Sequence, residues 1–194
     1  MSKVAKDQYR WCQDRNMYIT QEDLLKRGLK NVVVVDVRDD DGRGGKITGS
    51  LHLEDSLFDE KSVQVILKKA EQIIQDRKEN SGDKPVDVIF HCMESARRGP
   101  RCARRLFEAL DVLETDETQK IRILVLQGGF DQWIRKFFKT RRELIEDYDD
   151  EYWGYEELQD RPEQKHSLYE RPEDQPKTPW SEAGSIKATK KEKE

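Results

Sequence analysis

Two side chains able to do chemistry stand at the ends of one short stretch, Cys92-Met93-Glu94-Ser95-Ala96-Arg97-Arg98. A thiol opens it and a guanidinium closes it. An apolar run, Val86-Asp87-Val88-Ile89-Phe90-His91, leads in, and Gly99-Pro100 with a helical pattern leads out. That order predicts a strand, a tight loop and a helix. Such a loop can wrap a tetrahedral oxyanion, because successive backbone N–H groups turn inward and the helix N-terminus adds positive potential. The same field favours the nucleophilic thiolate of Cys92. Arg98 can set two parallel N–H donors against two oxygens of the bound group. The amides of Met93, Glu94, Ser95, Ala96 and Arg97 complete the expected cradle, with Gly99 at the helix entry. The chemistry implied is sulfur attack on a phosphate monoester, with hydrolysis through a phosphocysteine intermediate. The chain therefore reads as a cysteine-dependent oxyanion enzyme of the phosphatase type.

A leaving group also needs a proton. Glu94 lies inside the loop and is the candidate general acid; it reads equally as a solvated side chain or a substrate contact. Cys92 by itself could be a small buried hydrophobe, but its pairing with Arg98 and Gly99-Pro100 argues otherwise. Cys102 shares a helix with apolar positions and reads as packing, or as a resolving thiol that traps oxidised Cys92. Arg97, Arg101, Arg104 and Arg105 form either a substrate-facing basic patch or an exposed helix face. His91, Asp36 and Arg38 are expected to be structural, the last two as a pair bracing the loop after their strand.

The elements that must position the loop follow from pattern. Met17-Tyr18-Ile19 reads as a short strand. Thr20 and Asp23 form a capping box, and Gly28 ends the helix they open. Val32 to Val35 is a β-branched run too short for a helix and reads as a strand buried on both faces. Asp39 to Gly45 form an acidic, glycine-rich loop, and Ser50 to Leu53 a further short strand. Val63, Ile66, Ala70, Ile73 and Ile74 recur at helical spacing, as do Ala103, Leu106, Phe107 and Leu110. Ile121 to Leu126 is another strand, and Gly128-Gly129 turn the chain into a helix carrying Phe130, Trp133 and Phe137. Strands alternating with helices predict an α/β fold with a mostly parallel sheet covered on both faces. Ligands bind at strand ends in such folds, where Cys92 lies.

Of 194 residues, 39% are charged and 35% hydrophobic, which suggests that part of the chain is solvated. The reading divides it into an N-terminal extension (1–16), a catalytic domain (17–140) and a C-terminal extension (141–194). The last is expected to be largely disordered or loosely docked. Glu146 to Asp160 holds eight acids and no bases among tyrosines and a tryptophan, and prolines follow at 162, 172, 176 and 179. That stretch could also cover the site or compete with an acidic partner. A net charge of -4 argues for neither nucleic acid nor membrane. No run of about 18 apolar residues could span a bilayer, and the N-terminus lacks the apolar core of a signal peptide. The three cysteines, Cys12, Cys92 and Cys102, are too few and uneven for a disulfide scaffold. The expectation is an intracellular protein, cytoplasmic or nuclear. No Cys/His spacing suggests a metal site.

Val33 to Arg38 followed by Gly45-Lys46-Ile47-Thr48-Gly49-Ser50-Leu51-His52 resembles the D-x-R … G-H-I-x-G-A/S signature of rhodanese domains, with Lys46 where histidine is common. Gly128-Gly129-Phe130 with Trp133 resembles their terminal G-G-F/Y-x-x-W. The resemblance spans residues 17–138. His91-Cys92, five residues, then Arg98-Gly99-Pro100 is similar to the variant of M-phase inducer (cell division cycle 25-type) dual-specificity phosphatases and of eukaryotic arsenate reductases. The run from Arg98 to Leu106 is most similar to the small plant-type members. The resemblance implies a rhodanese-like fold with a five-stranded sheet, and tyrosine or dual-specificity phosphatase activity without a cofactor. Alternatively, it implies arsenate reduction completed by glutathione or glutaredoxin. Sulfurtransferase rhodaneses typically carry one loop residue fewer, so sulfur transfer from thiosulfate is disfavoured; a non-enzymatic binding module remains as the fourth reading. Two departures stand out. Val37 occupies the place of the back-up cysteine of the large M-phase inducers. The cysteine-rich zinc-binding tail of the plant-type proteins has no counterpart here, so metal binding is not implied. The expected partner is a phosphoprotein or a small oxyanion.

Overall fold

The computed structural model describes residues 17–78, 85–113 and 120–153. The extension at 1–16, with Cys12, and the residues from 154 onward lie outside them. Five strands form one sheet in the order β1-β6-β5-β2-β4: β1 (Tyr18–Ile19), β2 (Val33–Asp36), β4 (Leu51–His52), β5 (Val86–His91) and β6 (Ile121–Leu126). Every pairing within it is parallel. All four residues of β2 and all six of β5 are buried, as expected for central strands covered on both sides.

Alternation along the strands sorts side chains into two cores. Val33, Val35, Val86, Val88, Phe90, Ile121 and Ile123 face one side, under α2 (Glu60–Lys78) and α3 (Arg98–Leu113). Val34, Ile89, Leu124 and Leu126 face the other, under α1 (Gln21–Arg27) and α4 (Gly129–Phe137). Local signals set the helix ends. The Thr20 hydroxyl accepts from the Asp23 amide at 3.1 Å, and Gly28 closes α1 at φ +81°, the left-handed region that glycine enters without steric cost. Before α2, Asp59 accepts from the Ser62 amide at 3.0 Å while its own amide donates to the Ser62 hydroxyl at 3.3 Å.

The boundary expected at residue 140 does not hold. Residues 141–153 belong to the fold and dock on it. β7 (Ile145–Glu146) pairs antiparallel with β3 (Lys46–Ile47). Leu144 and Ile145 are buried in the second core, and the Leu144 carbonyl accepts the Trp133 indole N–H at 3.1 Å. The short helix α5 (Asp150–Trp153) ends on Trp153, whose indole donates to the Gly44 carbonyl at 2.7 Å. Two of the acids that made this stretch read as solvated have a cationic partner: Lys46 pairs with Glu146 at 3.5 Å and Asp147 at 3.2 Å. A two-residue strand has too few positions to show a period, which is why the pattern did not reveal it. Among the described residues no helix is long and apolar enough to cross a membrane.

Candidate active site

Register places the site. Asp36 at the end of β2 stands beside His91 at the end of β5, and Cys92 is the next residue. It therefore leaves the sheet at the carboxyl edge of a central strand. The chain then turns through Ser95, which takes φ +58°, an uncommon conformation for a residue with a Cβ. The turn brings the Ser95 amide onto Cys92 Sγ at 3.2 Å. An N–H donor at that distance stabilises negative charge on sulfur. Cys92 is 4% exposed and lies against the first core. Ser95 and Gly99 are buried, Met93 and Arg98 are partly buried, and Glu94, Ala96 and Arg97 are exposed at the loop tip. The Ser95 hydroxyl is buried without a hydrogen-bond partner among the described residues.

A second turn clamps the loop from behind. The amides at the start of α4 reach across to it, Phe130 N–H to the Cys92 carbonyl at 3.0 Å and Asp131 N–H to the Met93 carbonyl at 2.9 Å. Gly129, at φ +58°, makes this approach possible: a Cβ there would stand 2.4 Å from both of those carbonyl oxygens. Gly129→Ala combines a backbone clash with a left-handed alanine. The expected cost is at least about 2 kcal/mol, together with a displaced Cys92. Urea denaturation and the alkylation rate of Cys92 check the two effects.

Asp36 and Arg38 form the expected brace, and both are buried. Arg38 Nε reaches Asp36 Oδ1 at 2.9 Å and Nη2 reaches Oδ2 at 2.5 Å. Nη2 also donates to the Gly45 carbonyl at 2.7 Å, and the guanidinium carbon lies 4.0 Å from the centre of the Phe130 ring. Burial alone would raise the Asp36 carboxyl; the attraction of His91 and the hydrogen bonds and charge of the Arg38 fork together hold it below the usual carboxylate range.

His91 is fully buried and stacks on Phe130 at 6.2 Å. Its Nδ1 faces the Cys92 carbonyl at 3.3 Å and Asp36 Oδ1 at 3.8 Å. Nε2 has no hydrogen-bond partner among the described residues. Burial lowers the imidazole pKa and outweighs the attraction of Asp36, while Arg38 and His52 oppose a proton further. A lowered folded value means that the unfolded chain binds the proton first. The stability this neutral ring contributes is therefore complete above the unfolded value near 6.5. It is lost as the pH falls from there toward the folded value, by up to about 1.4 kcal/mol per pH unit. Denaturation midpoints between pH 5.5 and 7.5 should show this slope, and His91→Asn should flatten it.

Arg98 lies where the spacing put it, at the far end of the loop, with both Nη1 and Nη2 engaged by carboxylates. Nη1 and Nη2 meet the two carboxylate oxygens of Asp41 at 2.6 and 2.5 Å, and Nη1 also meets Asp39 Oδ2 at 3.1 Å. Its charged form is favoured first by the Asp41 hydrogen bonds, against the opposing effect of burial, then by Asp39 and by nearby Cys92. Sequence reasoning saw the acidic loop but did not bring it to the site. The signal available was three consecutive aspartates just after Arg38.

The arginines beyond the loop are largely spoken for. Arg101 clamps the buried carboxylate of Asp55 with two nitrogens, and Arg105 donates to the Asp55 carbonyl at 3.3 Å. Arg104 pairs with Glu108 at 2.9 Å. Cys102 has no exposed surface and donates to Asp55 Oδ1 at 3.1 Å; burial, then that carboxylate, push its thiol up. A thiol so held is a poor partner for exchange.

The fold is thus a parallel α/β domain that carries a cysteine-opened loop at the carboxyl end of its central strand, clamped by a second glycine turn. The sequence matches the rhodanese-like domain over residues 20–136, and the chain belongs to that family. It is 36% identical over 118 residues to the dual specificity phosphatase Cdc25 of Arabidopsis thaliana, covering 60% of this chain and 71% of that protein. Among solved structures it is similar to Ygr203w, a yeast protein tyrosine phosphatase of the rhodanese family. That similarity has 27% identity and a TM-score of 0.55 over 70% of this chain and 95% of the other. It is also similar to the As–Sb reductase from Leishmania major, at 26% identity and a TM-score of 0.52 over 66% and 83%.

Proposed function

We propose that the chain is a cysteine-dependent phosphatase of the tyrosine or dual-specificity type. The observation that carries the reading is the seven-residue loop from Cys92 to Arg98, with the Ser95 amide set 3.2 Å from the Cys92 sulfur. Sulfur attacks phosphorus, the S–P bond forms as the ester P–O bond breaks, and the alcohol or phenol leaves with a proton. Water then cleaves the phosphocysteine and releases phosphate. Glu94 is the loop's own acid, exposed at its tip. With no buried acid in the loop, phenols, which leave with less protonation, are the better leaving groups. The similarity to a named dual specificity phosphatase supports the reading.

Arsenate reduction is the second reading, favoured by the similarity to an As–Sb reductase. Arsenate is nearly isosteric with phosphate and suits the same cradle. Taking As(V) to As(III) requires two electrons, supplied as two thiols become one disulfide. Cys92 is one thiol. Cys102 is buried in its bond to Asp55, so the second comes from glutathione, and glutaredoxin restores Cys92. Parallel turnover of an aryl phosphate, arsenate with glutathione and glutaredoxin, and thiosulfate decides between the readings. Cys92-dependent release of phenol is the expected result. Arsenite as the sole product favours the reductase, and thiocyanate formed from thiosulfate and cyanide overturns both.

A further inference from the structure

The loop that holds Arg98 is built, not incidental. Asp39 Oδ1 accepts the Ser56 amide at 2.9 Å, the Gly42 amide closes a turn onto the Asp39 carbonyl at 2.9 Å, and the Asp39 amide donates to Asp41 Oδ1 at 3.2 Å. Arg38 reaches the Asp41 carbonyl from beneath at 3.5 Å, and Trp153 fastens Gly44 at 2.7 Å. The turn is thus pinned at both ends, and its carboxylates are preset against the guanidinium. The contact Asp41 makes, through Nη1 and Nη2, is a two-oxygen, two-nitrogen fork of the kind Arg98 can offer to an oxyanion.

We propose that Asp41, seconded by Asp39, is a specificity-determining residue of the anion loop: its carboxylate occupies the Nη1–Nη2 fork of Arg98 in the free protein, and a ligand takes that fork by displacing it. This rests on the reading of Cys92 to Arg98 as an oxyanion loop. The exchange sets a threshold. A singly charged anion offers Arg98 no more charge than the carboxylate it replaces, so it gains nothing from the fork. A tetrahedral dianion, such as phosphate, a phosphate monoester or arsenate, brings a second charge. It also brings further oxygens for the loop amides, which a carboxylate held on the opposite loop does not reach. The site therefore selects dianions over monoanions through an internal competitor.

Anion binding can be read without turnover. The full chain is treated with iodoacetamide in rising concentrations of inorganic phosphate or arsenate, and modification of Cys92 is followed by peptide mass spectrometry. Asp41→Asn should lower the half-protecting concentration of either dianion roughly fivefold to tenfold, since a forked, part-buried pair exceeds an exposed one. The KM for an aryl phosphate should fall by a similar factor, with kcat not raised. Nitrate, a singly charged probe, should begin to protect. Asp41→Glu retains the charge and should stay near wild type. Asp39→Asn should shift in the same direction by roughly two- to threefold and serves if Asp41→Asn does not fold. Protection that is unchanged or weakened in the asparagine variants overturns the competitor while leaving the oxyanion loop standing. Absence of protection by either dianion in wild type and variants alike overturns the loop reading and this inference together.

Discussion

Cys92→Ser is expected to cut turnover of an aryl phosphate by at least about a thousandfold while leaving the fold and anion binding in place. A serine hydroxyl is a far weaker nucleophile than a thiolate, and among the described residues no side-chain base is hydrogen-bonded at that position to activate it. The substitution is nearly isosteric at a position that is 4% exposed. The Ser95 amide that faces sulfur can donate to the hydroxyl oxygen instead. Initial rates, thermal melting and phosphate binding, measured side by side, separate loss of chemistry from loss of structure. Retained turnover in a correctly folded Cys92→Ser protein would remove the covalent mechanism. Accumulation of a phosphorus–sulfur adduct in the wild type, trapped by rapid acid quench, would support it directly.

The largest effect on stability is expected from Arg38→Met. Arg38 is buried with both Asp36 oxygens in its fork. Truncation leaves a carboxylate uncompensated inside the protein, at a cost of about 3–5 kcal/mol. Methionine retains apolar contact with Phe130, so little of that cost is a cavity. Adding Asp36→Asn removes the stranded charge and should recover part of the loss, which a double-mutant cycle by urea denaturation measures. A loss under about 1 kcal/mol for Arg38→Met would mean that the pair is not what holds the strand end. Since Asp36 is held below its ordinary range, the stability it contributes is complete above about pH 4 and is lost as the pH falls toward the folded value. In Arg38→Met that acid sensitivity should diminish or reverse.

These two sites are mechanically joined. Asp36 and Arg38 brace the end of β2, Arg38 holds the Gly45 carbonyl, and the intervening turn carries the aspartates that reach Arg98. On the opposite side, Gly129 lets α4 clamp the carbonyls of Cys92 and Met93. The loop from Cys92 to Arg98 is thus held by backbone contacts from one side and by charge from the other.

The order of strands and helices, and the span of the loop, could be read from residue order. β-branched runs declared β2, β5 and β6 because a short apolar run is stable only as a covered strand. Thr20 and the glycines at 28, 128 and 129 marked element ends because capping and left-handed backbone are local matters of sterics and hydrogen bonding. Cys92 and Arg98 declared themselves because the pair is contiguous, with a strand before and a helix after. Tertiary structure alone decided the rest. It brought Asp41 to Arg98 across 57 residues, Asp55 to Cys102 across 47, and Trp153 to Gly44 across 109. It also folded residues 141–153 onto the domain, where an acidic and aromatic composition had suggested a loose tail. A residue's type and its neighbours fix its conformational preferences. What its side chain meets depends on which strand ends lie side by side once the two cores have packed, and that is a property of the whole sheet.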